Sequence, residues 1–171
     1  MTNREIMLSA LKKHTFPLLK ELGFTGKHPN FRRKLDNCIE LVSFQTNKWG
    51  GSFTVEVSAV FPNLQNKNYK LCGAVTEENF GVEATSCRYR LPGMFNGWFY
   101  YRDVYRKRTL LFGSVYYDVP EKEAVNFVPQ KGYKLVQKFD KTTAVQICNE
   151  VNCQLEKANK WLKDFERSNC K

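Results

Sequence analysis

From Ala144 onward, Cys148, Val151, Leu155, Ala158, Leu162 and Phe165 follow one another at alternating spacings of four and three. That spacing returns to one side of an α-helix at every turn. It predicts a helix of about 26 residues, roughly 39 Å long, with a single apolar stripe. Asp140 stands just before it, suited to cap the first free N–H groups. A stripe of that length needs an apolar surface to cover it. About three heptads can pair as a coiled coil, but a chain that also carries strands more simply lays such a helix across a sheet.

The strands are written in period two. Phe53, Val55, Val57, Ala59 and Phe61 alternate with Thr54, Glu56, Ser58 and Val60, the pattern of a strand with one buried face. Residues 31–35 and 38–46 read as two strands joined through Asp36-Asn37, a pair suited to a two-residue hairpin turn. Further strands are predicted at 87–91, 98–105, 109–119 and 133–139, with Lys107-Arg108 near the turn between the middle two. Residues 62–86, with Asn63, Asn66, Asn68, Gly73 and Gly81, read as loop. At the start, Thr2 and Glu5 form a capping box ahead of Ile6, Ala10, Leu11, Leu18 and Leu22. Pro17 should kink or break that helix, and Gly23-Phe24 should end it. Strands grouped between terminal helices predict an α+β fold: an antiparallel sheet of about five to six strands, packed by an N-terminal helix and a long C-terminal helix. The expected organisation is a single domain over residues 1–171.

A chain of 171 residues with 42% hydrophobic side chains excludes intrinsic disorder and can build its core without disulfides or metal. No apolar run approaches the ~20 residues needed to span a bilayer. Met1-Thr2-Asn3-Arg4-Glu5 leads into an amphipathic segment instead of the apolar centre of a signal peptide. The expectation is a soluble, cytoplasmic protein with no membrane partner. Cys38, Cys72, Cys87, Cys148, Cys153 and Cys170 include no Cys-x-x-Cys pair, so they read as reduced structural thiols. His14 and His28 are the only histidines, and the chain has no Gly-rich phosphate loop, His-Glu-x-x-His or Gly-x-Ser-x-Gly. No metal and no cofactor are expected, and the reading leans away from an enzyme.

Leu22-Gly23-Phe24, Phe31-Arg32-Arg33, Phe44-Gln45, Lys48-Trp49-Gly50 and Ser52-Phe53-Thr54-Val55 together resemble a bacterial family known only as domain of unknown function 4304. Cys87-Arg88-Tyr89-Arg90, Trp98 and Trp161-Leu162 continue the likeness more weakly. The resemblance supports the fold and brings no activity with it.

Charge supplies the functional candidates. The formal net charge is +10, and residues 88–109 carry six basic side chains against one acidic. Arg88, Arg90, Arg102, Arg106 and Arg108 are interleaved there with Tyr89, Trp98, Phe99, Tyr100, Tyr101 and Tyr105. Guanidinium groups grip carboxylates in bidentate fashion, which suits an acidic protein partner. Cations with aromatic rings also suit single-stranded nucleic acid or a nucleotide, bound through the hairpin near residues 98–117. The plainer reading is a hairpin with its rings inward and its arginines guarding the edge. An unbroken strand would place Arg102 and Arg106 on one face, Arg108 close by at the turn, and Asp103 on the opposite face. Gln45, on an inward-facing strand position, either pins a neighbouring loop through its amide or faces a ligand. Trp49-Gly50-Gly51 reads as a turn with an aromatic anchor, and Trp161 should pack on the sheet.

Overall fold

The computed structural model describes residues 1–61, 81–82, 88–95, 97–109, 113–120, 122–123 and 127–169, with side chains as far as residue 166. Most of the predicted loop 62–86, and Cys72, Cys87 and Cys170, lie outside the described residues. The chain divides into two compact units. One comprises Met1–Phe16, Thr46–Thr54 and Pro92–Val151; the other comprises Pro17–Gln45, Val55–Leu91 and Asn152–Lys171.

Helix α1 (Asn3–His14) starts as predicted: Thr2 Oγ1 accepts the Glu5 N–H at 3.3 Å, and Glu5 Oε2 accepts the Thr2 N–H at 2.7 Å. It buries Met7 and Leu11. The helical run breaks at Thr15, and α2 (Phe16–Glu21) carries Pro17 in its first turn, where a missing N–H costs least. Gly23 closes α2 at φ +88°. Its N–H bonds to Lys20 O while the Phe24 N–H reaches back to Leu19 O, each at 2.9 Å, and Leu19 and Phe24 are both buried.

The larger sheet is antiparallel, in the order β1 (Thr25–Lys27), β2 (Asn30–Lys34), β3 (Ile39–Thr46), β4 (Ser52–Val60), β5 (Arg88–Arg90). A sixth strand, β6 (Phe99–Tyr100), pairs with Ser52 and Phe53 of β4. Asp36-Asn37 makes the expected tight turn, with Lys34 opposite Ile39 and the Leu35 N–H on Cys38 O at 2.9 Å. β4 departs from expectation: all nine residues are buried, so Ser52, Thr54, Glu56 and Ser58 are as enclosed as Phe53, Val55 and Val57. Period-two alternation reports two chemically different faces; it does not report which of them meets water.

A second sheet, which the sequence did not separate from the first, has the order β8-β7-β9: β7 (Asp103–Thr109), β8 (Gly113–Val119) and β9 (Lys134–Gln137). The predicted strand 98–105 is interrupted at Tyr101-Arg102 for a reason distant in sequence. Gln137 Nε2 donates to Tyr100 O at 2.7 Å and to Arg102 O at 2.9 Å, while the Tyr101 N–H is taken by Gly51 O at 2.9 Å. Lys107 and Arg108 lie inside β7, opposite Val115 and Ser114 of β8, and not near the turn expected there.

Helix α3 (Lys141–Asn169) has 29 residues, slightly longer than its seam implied. Asp140 Oδ1 caps it by accepting the Thr143 N–H at 2.8 Å. Ala144, Cys148, Val151, Leu155, Ala158 and Leu162 are all buried, as is Ile147 beside them. Trp161 stands against Tyr89 of β5 with ring centroids 5.7 Å apart, and Phe165 stacks on Trp161 at 5.5 Å.

Candidate functional site

The six residues singled out from the sequence fall into three groups. Gln45, Arg88 and Arg90 come together on a carboxylate that sequence reasoning passed over, that of Glu56. Arg90 sits opposite Glu56 across β4 and β5, and Arg88 sits opposite Ser58. Arg90 donates to Glu56 Oε1 through Nε at 2.9 Å and Nη2 at 2.6 Å, Gln45 Nε2 donates to Oε2 at 3.1 Å, and Arg88 Nη1 stands 3.8 Å from Oε2. Glu56 is buried while both arginines are about half exposed, so this is an internal ion pair roofed by guanidinium groups. Gln45 serves a neighbouring strand; the loop-pinning role falls to Gln137.

Arg102 forms the second group. It donates from Nη1 to Asp118 Oδ2 at 3.0 Å and from Nη2 to Trp49 O at 3.1 Å. Gly51, at φ +80°, leaves the room it needs: a Cβ there would stand 2.0 Å from Arg102 Nε. Burial, with Asp118 close by, raises the Tyr100 hydroxyl above its ordinary range. Trp49 is not the anchor expected of it: the residue is 77% exposed, with Lys48 Nζ 4.7 Å from its ring centroid, and its backbone carbonyl does the holding. Asp103 is also engaged, since its Oδ1 accepts the Phe139 N–H at 2.8 Å. Arg102→Ser should therefore cost about 1–3 kcal/mol by leaving Asp118 and the Trp49 carbonyl unpaired. Arg106→Ser and Arg108→Ser should each stay within about 0.5 kcal/mol. Urea denaturation of the three variants measures this.

Arg106 and Arg108 are the third group. Neither they, nor Lys107 between them, nor Lys134 opposite Arg106 has an ion-pair partner among the described residues. Cross-strand register sorts the faces. Arg106 and Arg108 share a face with Tyr116 and Ser114, while Tyr105 and Lys107 share the other with Tyr117 and Val115. On that second face Phe127 stacks on Tyr117 at 5.5 Å and meets Tyr105 at 5.1 Å, and Lys107 Nζ lies 5.8 Å from the Tyr133 ring centroid. Tyr117, Phe127, Val128, Gln130 and Tyr133 line a half-open hollow of about 180 Å³.

A fourth cluster ties β2 and β3 to helix α3. Arg33 Nε and Nη2 both lie 2.5 Å from Glu40 Oε2, Nη2 also donates to Asn159 Oδ1 at 2.9 Å, and Nη1 bonds Leu22 O. The guanidinium lies 4.6 Å over the Phe24 ring, and its stem passes close to Gly23, where a Cβ would stand 3.2 Å from Arg33 Cδ. Burial raises the Glu40 carboxyl and Arg33 opposes that rise. Leu22, Gly23, Phe24 and Arg33, all in the segments that carry the resemblance, thus serve one structural contact. Among the described residues, no three His, Cys, Asp or Glu side chains converge so as to hold a metal, and no helix is long and apolar enough to cross a membrane.

The model of the family described as domain of unknown function (DUF4304) matches residues 15–164. The chain belongs to the DUF4304 family. That match spans all three arginine groups and the Arg33–Glu40 contact, so each lies within the DUF4304 domain. No curated protein and no solved structure matches the chain.

Proposed function

We propose that this DUF4304 protein is a soluble, cytoplasmic bacterial binding module, and that it recognises an acidic protein partner through the β8-β7-β9 sheet. The observation that carries this reading is the division of the arginines. Arg88, Arg90 and Arg102 are spent on the chain's own carboxylates, while Arg106, Lys107 and Arg108 stand consecutively on β7 with none among the described residues. Like charges at neighbouring positions repel one another, and carboxylates brought by a partner relieve that repulsion while steering the encounter. A net charge of +10 also argues against neutralising a nuclease by mimicking nucleic acid, because such an inhibitor complements a basic cleft and is itself acidic.

The test uses poly-L-glutamate and single-stranded oligodeoxythymidylate as competing polyanions. Poly-L-glutamate should bind, and Arg106→Ser/Arg108→Ser should weaken it about tenfold or more with the fold intact by circular dichroism. Equal affinity in the double variant overturns the reading. One observation favours a second reading, single-stranded nucleic acid: the hollow beside Tyr117, Phe127 and Tyr133 offers rings for a base to stack on, with Lys107 near for a phosphate. That reading takes over if the oligonucleotide displaces poly-L-glutamate and its affinity falls steeply with salt.

A further inference from the structure

The two edges of the β8-β7-β9 sheet are built differently. β9 is short, begins at Lys134, and its register with β7 shifts between Val104 and Tyr105. A cation and an irregular ladder are two of the devices that keep a sheet edge from taking on another strand. β8 has neither. Its seven residues, Gly113-Ser114-Val115-Tyr116-Tyr117-Asp118-Val119, pair with β7 in continuous register, contain no Lys, Arg or Pro, and carry one charge, which Arg102 neutralises. Val115 and Tyr117 are 39% and 42% exposed. β8 makes no further hydrogen bond on its outer side among the described residues.

We propose that β8 takes an extended acidic segment of the partner as an added strand, a mode that rests on the acidic-partner reading above and says how the sheet engages it. Charge complementarity selects this occupant. An added strand lies about 10 Å from β7, two strand spacings, a gap that an arginine and a glutamate side chain span together. On one face its side chains flank Ser114 and Tyr116, with Arg108 and Arg106 immediately behind. On the other they flank Val115 and Tyr117, and Tyr117 is itself a wall of the aromatic hollow. Alternate residues of a strand point to opposite faces, so the segment that fits alternates acidic residues toward Arg106 and Arg108 with apolar residues toward Tyr117. A second copy of this chain fits less well, because it brings the same unneutralised cations to the same place.

The probe is the peptide acetyl-Glu-Val-Glu-Phe-Glu-Val-Glu-amide, matched in length to β8, followed by fluorescence anisotropy on the full chain. Two derivatives carry N-methyl groups, one on the Glu nitrogens and the other on the Val and Phe nitrogens. An added strand presents only one of these sets to β8, so one derivative should lose about tenfold or more in affinity and the other should bind nearly as the parent does. Hydrogen exchange of amides within β8 should slow when the parent peptide is bound. If both derivatives bind as tightly as the parent, the contact is charge alone: strand addition is overturned and the acidic-partner reading stands. If the peptide does not bind, both are overturned. Protection of the β8 amides that rises with protein concentration in the absence of peptide overturns the proposal in favour of a second copy. Displacement of the peptide by oligodeoxythymidylate at equal charge overturns it in favour of nucleic acid.

Discussion

Arg33→Met should destabilise the protein by about 3–5 kcal/mol at pH 8, because it leaves the Glu40 carboxylate inside the fold without its counter-charge. Glu40 has no exposed side-chain surface, and Arg33 supplies both its ion pair and its hydrogen bond. The same substitution frees Leu22 O and Asn159 Oδ1 from their donors. The loss should depend on pH in a definite sense. Burial raises the folded-state pKa of Glu40 above its ordinary value of 4.5, with Arg33 pulling it back down. Between the unfolded and folded pKa values, the folded state therefore holds a proton that the unfolded state has released. Stability from this group is fully present below about pH 4.5 and declines as pH rises through the folded pKa. Removing Arg33 moves that folded pKa higher still, so the penalty should be smaller near pH 5 than at pH 8. Adding Glu40→Gln should recover part of the loss at pH 8 and little at pH 5. Urea denaturation of the single and double variants at the two pH values measures this; a penalty independent of pH would mean that the contact of the Arg33 guanidinium with the Phe24 ring, not the pairing with Glu40, is what was lost.

Leu155→Ala should cost about 2–5 kcal/mol, read as a fall in the urea midpoint with unchanged slope and in melting temperature of roughly 5–15 °C. Leu155 is 2% exposed in the middle of the α3 seam, between the equally enclosed Val151 and Ala158. Truncation removes its transfer energy and leaves a cavity that neighbours on a regular helix cannot move to fill. Lys157→Ala, on the exposed side of the same helix, should change stability by less than about 0.5 kcal/mol. A loss below about 1 kcal/mol at Leu155 would mean that the seam collapses around the gap.

The contrast between α3 and β7 shows what a chain discloses locally. Helix periodicity, the Asp140 cap and the Thr2–Glu5 box are set by residues three or four apart, so the sequence carries them complete. The Asp36-Asn37 turn and the Gly23 cap are equally local. The bend at Tyr101-Arg102 is different: Gln137 makes it from one side and Gly51 from the other. Without those contacts 98–105 reads as one strand, and Arg102 falls on the same face as Arg106. The candidate site was legible to the same degree. The basic and aromatic composition of 88–109 marks where the arginines cluster, but which of them pair within the fold depends on Glu56 and Asp118. Their positions across β4–β5 and beside Arg102 follow from pairing between strands, which no spacing along the chain encodes. The burial of both faces of β4 escaped notice for a related reason: its polar residues alternate correctly, and only tertiary structure encloses them.

Cys148 makes the α3 seam open to inspection by chemistry. Its thiol has no exposed surface, and burial pushes its pKa up to about 11, so at pH 8 roughly one thiol in a thousand would be ionised even if a reagent could reach it. Cys153, one and a half turns further along, is exposed. The two form a paired clock on one helix: alkylation at Cys153 counts time in the folded molecule, while alkylation at Cys148 counts only the moments when the helix lifts from what covers it.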